Sequence, residues 1–164
     1  MLGLLLGRAS ANYCFTIRVS GVYNKTNSLP SIVYNHSLGG TTLELSIKTV
    51  GDVHVLHLRG RFAIGKDVDE FRGTTESLMK DGVHRFVLNM ADVPMMDSSA
   101  IGTVVRLTAS AKKDGGSVKL VSPSKMVVQT LKIVGLLNLF EVYEDDTVAA
   151  HSFTTTAAPA YPPA

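Results

Sequence analysis

The chain has 164 residues, 45% of them hydrophobic, and a formal net charge of +2. That length suits one domain with appendages and a real buried core, and so small a charge gives no ground for a nucleic-acid partner or for an anionic membrane surface. Cys14 is the single cysteine, which excludes an internal disulfide and a cysteine-based metal site.

The chain opens on a leader, residues 1–40, rich in Ser, Asn and Gly and without a steady apolar period. It holds Arg8, Arg18 and Lys25 and no acid, so the remaining chain, with 13 basic and 14 acidic residues, is close to neutral. Leu2-Gly3-Leu4-Leu5-Leu6 and Ala9-Ser10-Ala11 faintly imitate an export signal. The apolar run is short, no positive residue precedes it and Arg8 interrupts it, so the leader reads as a poorly ordered extension. No stretch is long enough to span a membrane, and a cytoplasmic protein is expected. Gly39-Gly40 marks the boundary.

Leu43, Leu45 and Ile47 alternate with Glu44, Ser46 and Lys48, the period of a half-buried strand. Gly51-Asp52 forms a turn into Val53–Leu58, so the two strands make a hairpin. Asp67 with Glu70 three residues on fits a capping-box variant. Val68, Phe71, Leu78 and Met79 then mark one helical face, ended by Asp81-Gly82. The continuous apolar run Val83–Asn89 predicts a strand buried on both sides. A helix starts near Ser99, runs to about Lys113 and buries Ile101, Val105 and Thr108, with Arg106 and Lys113 exposed. Val118–Val121 is a strand. Ser122-Pro123-Ser124 starts a helix bearing Met126, Val127, Leu131 and Val134 and closed by Gly135. Leu139–Tyr143 is a short strand, and Asp145-Asp146 caps a last helix. The tail, residues 154–164, is low in complexity and reads as disordered. Strands alternating with helices predict an α/β fold, a mixed sheet of four to five strands packed with about four helices.

The chemistry of an enzyme is missing from this pattern. His54 and His57 lie three apart on a strand and point to opposite faces, and neither His84 nor His151 has a motif partner. There is no Gly-x-x-x-x-Gly-Lys phosphate loop. Ser98 and Ser99 lack both a Gly-x-Ser-x-Gly setting and an identifiable base. No enzyme activity and no cofactor are expected.

The most informative segment is Met96-Asp97-Ser98-Ser99-Ala100-Ile101-Gly102, set between a buried strand and a helix. A helix start leaves N–H groups unpaired and carries partial positive charge. Asp and Ser are good caps there, and a phosphate is equally welcome. The plain reading of Asp97 and its two serines is an N-cap.

Gly60-Arg61-Phe62 after the second strand, Val93-Pro94-Met95-Met96-Asp97-Ser98-Ser99 after the third, Gly115-Gly116 and Val134-Gly135-Leu136 follow one another in a telling order. In that order the chain resembles the STAS domains of bacterial anti-sigma factor antagonists, over about residues 43–153. The resemblance implies a regulatory binding module and not an enzyme. Its partners would be an anti-sigma factor that is also a serine kinase, and a protein phosphatase. It implies that Ser99 is the phosphate acceptor and that Asp97, Ser98, Met95, Met96 and Ala63 form the partner-binding surface. Two positions depart from the family pattern. Ala100 stands where glycine is usual, and Ala63 holds a slot where an aspartate is usual. The second departure keeps open another role, a STAS subunit of an ABC-type membrane lipid-transport complex without phospho-switching.

Overall fold

A computed structural model describes residues 43–154. The readings for the leader, residues 1–40, and for the tail from residue 155 fall outside the described residues. The described part is a five-stranded sheet with helices on both sides. Its elements run β1 (Glu44–Val50), β2 (Val53–Arg59), α1 (Lys66–Lys80), β3 (Arg85–Asp92), α2 (Ser98–Lys113), β4 (Ser117–Val121), α3 (Lys125–Ile133), β5 (Glu141–Tyr143) and α4 (Asp146–His151). The strands lie side by side in sequence order. β1 is antiparallel to β2, because the Gly51-Asp52 turn reverses the chain with Gly51 at φ 62°. β2 to β5 are parallel, since each is reached through a helix.

Alternation along the strands divides the core in two. Leu56 pairs with Leu88, Leu88 with Leu120 and Leu120 with Val142, and this row faces α1, α2 and α3 together with Phe71, Val104 and Leu107. Val53, Val55, Val87 and Val121 point the other way, where Ala149 and Ala150 of α4 cover them. Burying each such side chain contributes about 1.5–3 kcal/mol before the entropy of ordering is subtracted. Phe62 closes the layer by meeting the Phe71 ring edge-on, with centroids 5.0 Å apart.

Two local expectations, on α1 and α2, are corrected. α1 begins at Lys66 and its N-cap is Gly65, at φ 131°, with no side-chain cap. Asp67 therefore lies inside the first turn, because the glycine reaches the left-handed conformation that releases the chain from β2. On α2 the buried face carries Val104 and Leu107 beside Ile101 and Thr108, while Val105 is half-buried. On α3 only Val127 and Leu131 are buried; Met126 and Val134 are exposed.

Candidate functional site

The site is built where β2 and β3 end side by side. Past its last ladder pair, β2 turns through Gly60 into the segment leading to α1, and β3 turns through Val93 into the segment leading to α2. These two segments stay joined. Phe62 bridges to Met96 in parallel, its N–H donating to the Met95 carbonyl at 3.2 Å and its carbonyl accepting from the Asp97 N–H at 3.2 Å. Phe62 and Met96 are buried in the helix-side core, so the pair anchors both segments from beneath.

Asp97 is the N-cap of α2. Its Oδ1 accepts from the Ala100 N–H at 2.9 Å, and its Oδ2 accepts from the Ile64 N–H at 2.6 Å. Partial burial pushes the Asp97 carboxyl up, but the backbone donors Ala100, Ile64 and Ser99 outweigh it and hold the group below its ordinary value. Asp97 is thus a charged tether between two loops as well as a cap. Ala100 is fully buried, and its methyl packs where a glycine would leave space.

Ser98 is the first residue of α2 and is exposed; Ser99 follows it and is half-buried. The Ser99 carbonyl accepts from the Thr103 hydroxyl at 2.9 Å. Met95 is 38% exposed at the lip of the loop, whereas Met96 belongs to the core. Met96 therefore packs beneath the loop, and Met95 is the more accessible of the two expected contact residues. Ala63 is half-buried between buried Phe62 and exposed Ile64. The structure thus brings Ala63, Met95, Asp97, Ser98 and Ser99 to one end of the sheet.

Sequence reasoning missed two features. Ile64, large and exposed, stands beside the tether; its signal was an apolar residue just before a glycine helix start. A polar cluster also lies under α4. There Asn89 Nδ2 donates to Asp146 Oδ1 at 2.7 Å, and His57 Nε2 is 3.3 Å from Asp146 Oδ2. His57 and Asn89 are direct neighbours across β2 and β3, so the cluster locks α4 to the middle of the sheet. His54, of opposite parity on β2, faces the other layer, as the spacing predicts. Among the described residues no group of three or more His, Cys, Asp or Glu could hold a metal ion. No described helix is long and apolar enough to cross a membrane.

A mixed five-stranded sheet whose third strand feeds an Asp-Ser-Ser helix start is the architecture of a STAS domain. The chain belongs to the STAS domain family, whose model matches residues 44–149. A Thermotoga neapolitana protein named as a candidate anti-sigma factor antagonist is 29% identical over 69 residues, 42% of this chain and 61% of that protein. The chain thus spans under two thirds of the length of the curated relatives it matches. The crystal structure of a candidate anti-sigma factor antagonist from Thermotoga maritima superposes with a TM-score of 0.62 at 25% identity, covering 66% of this chain and 92% of that one. The fold is shared with the anti-sigma factor antagonist SpoIIAA in its unphosphorylated form, TM-score 0.59 at 19% identity over 70% of this chain and 98% of that one. It is shared also with the phosphorylated form of that Bacillus protein, TM-score 0.55 at 18% identity over 65% and 97%.

Proposed function

We propose that the chain is an anti-sigma factor antagonist. Unphosphorylated, it binds an anti-sigma factor and thereby releases a sigma factor to transcription. The anti-sigma factor is also a kinase; it transfers the terminal phosphoryl group of ATP to a serine hydroxyl at the head of α2, ADP leaves, and the complex weakens. A phosphatase restores the free hydroxyl. The relatives named above support this reading. The observation that carries it is the serine start of α2, with Ser98 exposed and Ser99 half-buried, held in a fixed place by the Asp97 tether to Ile64.

The physics of the switch is local. A phosphate adds about −1.5 to −2 charges, which the partial positive charge of its own helix start favours. The domain therefore keeps its fold. Repulsion falls on the partner and on Asp97, whose two oxygens are already committed to backbone donors. About 1.4 kcal/mol of lost binding is tenfold in affinity, so a modest repulsion suffices.

The family resemblance puts the phosphate on Ser99. Exposure favours Ser98, the hydroxyl an approaching kinase reaches first, and both belong to the test. The full chain is incubated with ATP and an anti-sigma factor kinase from the same organism, and intact mass is measured for the parent, Ser98→Ala and Ser99→Ala. One added phosphate that a single variant abolishes supports the proposal and names the acceptor. No added phosphate sinks it. Ala63, neutral in the slot that usually holds an aspartate, favours the second reading, a non-switching STAS subunit docked on a membrane lipid-transport ATPase. Co-purification with a permease and an ATPase would support that role.

A further inference from the structure

Helix α3 buries one side and leaves the other bare. Met126 is 58% exposed and Ile133 86%. They are seven residues apart, two turns of helix, so they stand in one row on the outer side. Val134, 49% exposed at the C-cap, adds apolar surface beside the end of the row. Lys125 and Lys132, both exposed and likewise seven apart, form a second row beside the first. Residues 122–140 contain no acid. The row also meets the serine loop, because the Ser124 hydroxyl at the α3 N-cap donates to the Pro94 carbonyl at 3.4 Å, next to exposed Met95.

We infer that the outer face of α3, continued by Met95, docks a helix of a partner protein that carries an apolar row flanked by acidic residues. The inference rests on the proposed antagonist role for the source of the partner, but not for the chemistry of the surface. Single exposed apolar residues are ordinary; an apolar row with a parallel lysine row on an acid-free segment specifies a complement. A second copy of the chain is a poor occupant, since two-fold pairing of α3 with itself brings the lysine rows together. An anionic membrane is a poor occupant too. Residues 43–154 hold 13 basic and 14 acidic side chains, a net charge of −1, which gives no attraction beyond the helix itself.

The test uses the full chain and a synthetic amphipathic helical peptide with leucine at every seventh position flanked by glutamate. In an NMR titration the peptide should shift the methyl signals of Met126, Ile133 and Val134. Ile133→Ser, and separately the pair Lys125→Glu with Lys132→Glu, should each lower affinity at least about tenfold. The same peptide with lysine in place of glutamate should not bind. Shifts centred elsewhere, or equal binding of the lysine peptide, overturn the inference. So does binding to phosphatidylglycerol vesicles, or self-association in sedimentation, if Ile133→Ser removes it. Titration of the parent with the anti-sigma factor kinase separates the two readings. Failure there, with peptide binding intact, sinks the antagonist role and leaves the docking surface standing.

Discussion

The Asp97 carboxylate holds the Ile64 backbone at 2.6 Å while it caps Ala100 at 2.9 Å. One side chain thereby sets the position of the serine-bearing helix and the shape of the neighbouring loop. Gly60 and Phe62 bond the start of the β2–α1 loop to the β3–α2 segment, and past them the tether helps to set where Ala63 and Ile64 stand relative to Ser98.

Replacing Asp97 tests this division of labour. Asp97→Ala removes both bonds and should cost about 1–2 kcal/mol, the size of a lost N-cap. Asp97→Asn should cost less, because its single oxygen still caps Ala100. Its amide NH₂ then faces the Ile64 N–H, donor against donor. Urea unfolding ranks the two variants, and hydrogen exchange should show the Ile64 amide opening faster in both. Unchanged exchange at Ile64 in Asp97→Asn removes the tether from the account.

His54 gives the domain a pH dependence. Its Nδ1 is buried with no hydrogen-bond partner among the described residues, and burial pushes the imidazole below its ordinary value. The unfolded chain therefore takes up a proton that the folded chain refuses, and linkage fixes the sign. The contribution of His54 is complete above the unfolded pKa of about 6.5 and declines as pH falls from there towards the folded value. Thermal unfolding should lose stability as pH falls below about 6.5, and His54→Gln should flatten that slope. A parent and variant with parallel slopes would count against this assignment. Below about pH 4, Asp97 adds loss in the same direction, because its folded pKa is depressed and its stabilisation disappears as it protonates.

Lys119 lies on β4 under α4, its side chain only 7% exposed. It donates to Glu141 Oε2 at 2.9 Å, to the Ser152 hydroxyl at 2.5 Å and to the Tyr143 hydroxyl at 3.4 Å. Its ammonium also sits 4.4 Å from the Phe153 ring centre. Burial raises the Glu141 carboxyl, but the Lys119 and Tyr143 hydrogen bonds and the Lys119 charge hold it below its ordinary value. Removing the anion alone strands a buried cation, whereas removing the cation strands a half-exposed carboxylate that water can serve. Glu141→Gln should therefore destabilise by about 1–3 kcal/mol, and Lys119→Met by less. Denaturant midpoints in the reverse order would refute the argument.

Legibility in the sequence followed periodicity. The strand alternation of Leu45 and Ile47 and the apolar run through Phe86–Leu88 reported sheet positions correctly, because each face of a strand meets one environment. Helix faces were harder. Counting from Ile101 selects Val105 as well as Val104, and only the sheet behind α2 decides that Val104 turns inward. The α1 start escaped because Gly65 acts through its backbone conformation, which no side-chain pattern announces. Met95 and Met96 are chemically alike, and the parallel bridge to Phe62 alone sends Met96 inside. The serine loop was visible as a motif, but its tether was not, since Ile64 lies 33 residues from Asp97.

The α2 face gives a direct comparison. Val104→Asp buries an unpaired carboxylate against the sheet and should abolish cooperative unfolding. Val105→Asp, at a half-buried position, can turn its charge to water and should leave a folded but weakened domain. Circular dichroism melts of the two variants check this; equal damage from both would mean that Val105 is as enclosed as Val104.

The serine pair separates electrostatics from structure. Ser98 and Ser99 are the first two residues of α2, where an anion is favourable to the helix by about 0.3–1 kcal/mol. The Asp97 charge beside them subtracts from that gain. Ser98→Glu and Ser99→Glu should therefore change thermal stability little, with Ser99→Glu the less tolerated because its side chain is half-buried and the longer acid must find room. If the proposed switch is electrostatic, Ser98→Glu should lower affinity for the anti-sigma factor at least about tenfold, about 1.4 kcal/mol, while its melt superposes on the parent's. High salt should return part of that affinity, since an exposed charge is screened over about 8 Å at 0.15 M ionic strength and less at higher salt. Ser98→Gln, of the same length and without charge, serves as the control and should bind close to the parent. Equal loss in Ser98→Gln and Ser98→Glu would mean that bulk at the helix start, and not charge, blocks the partner.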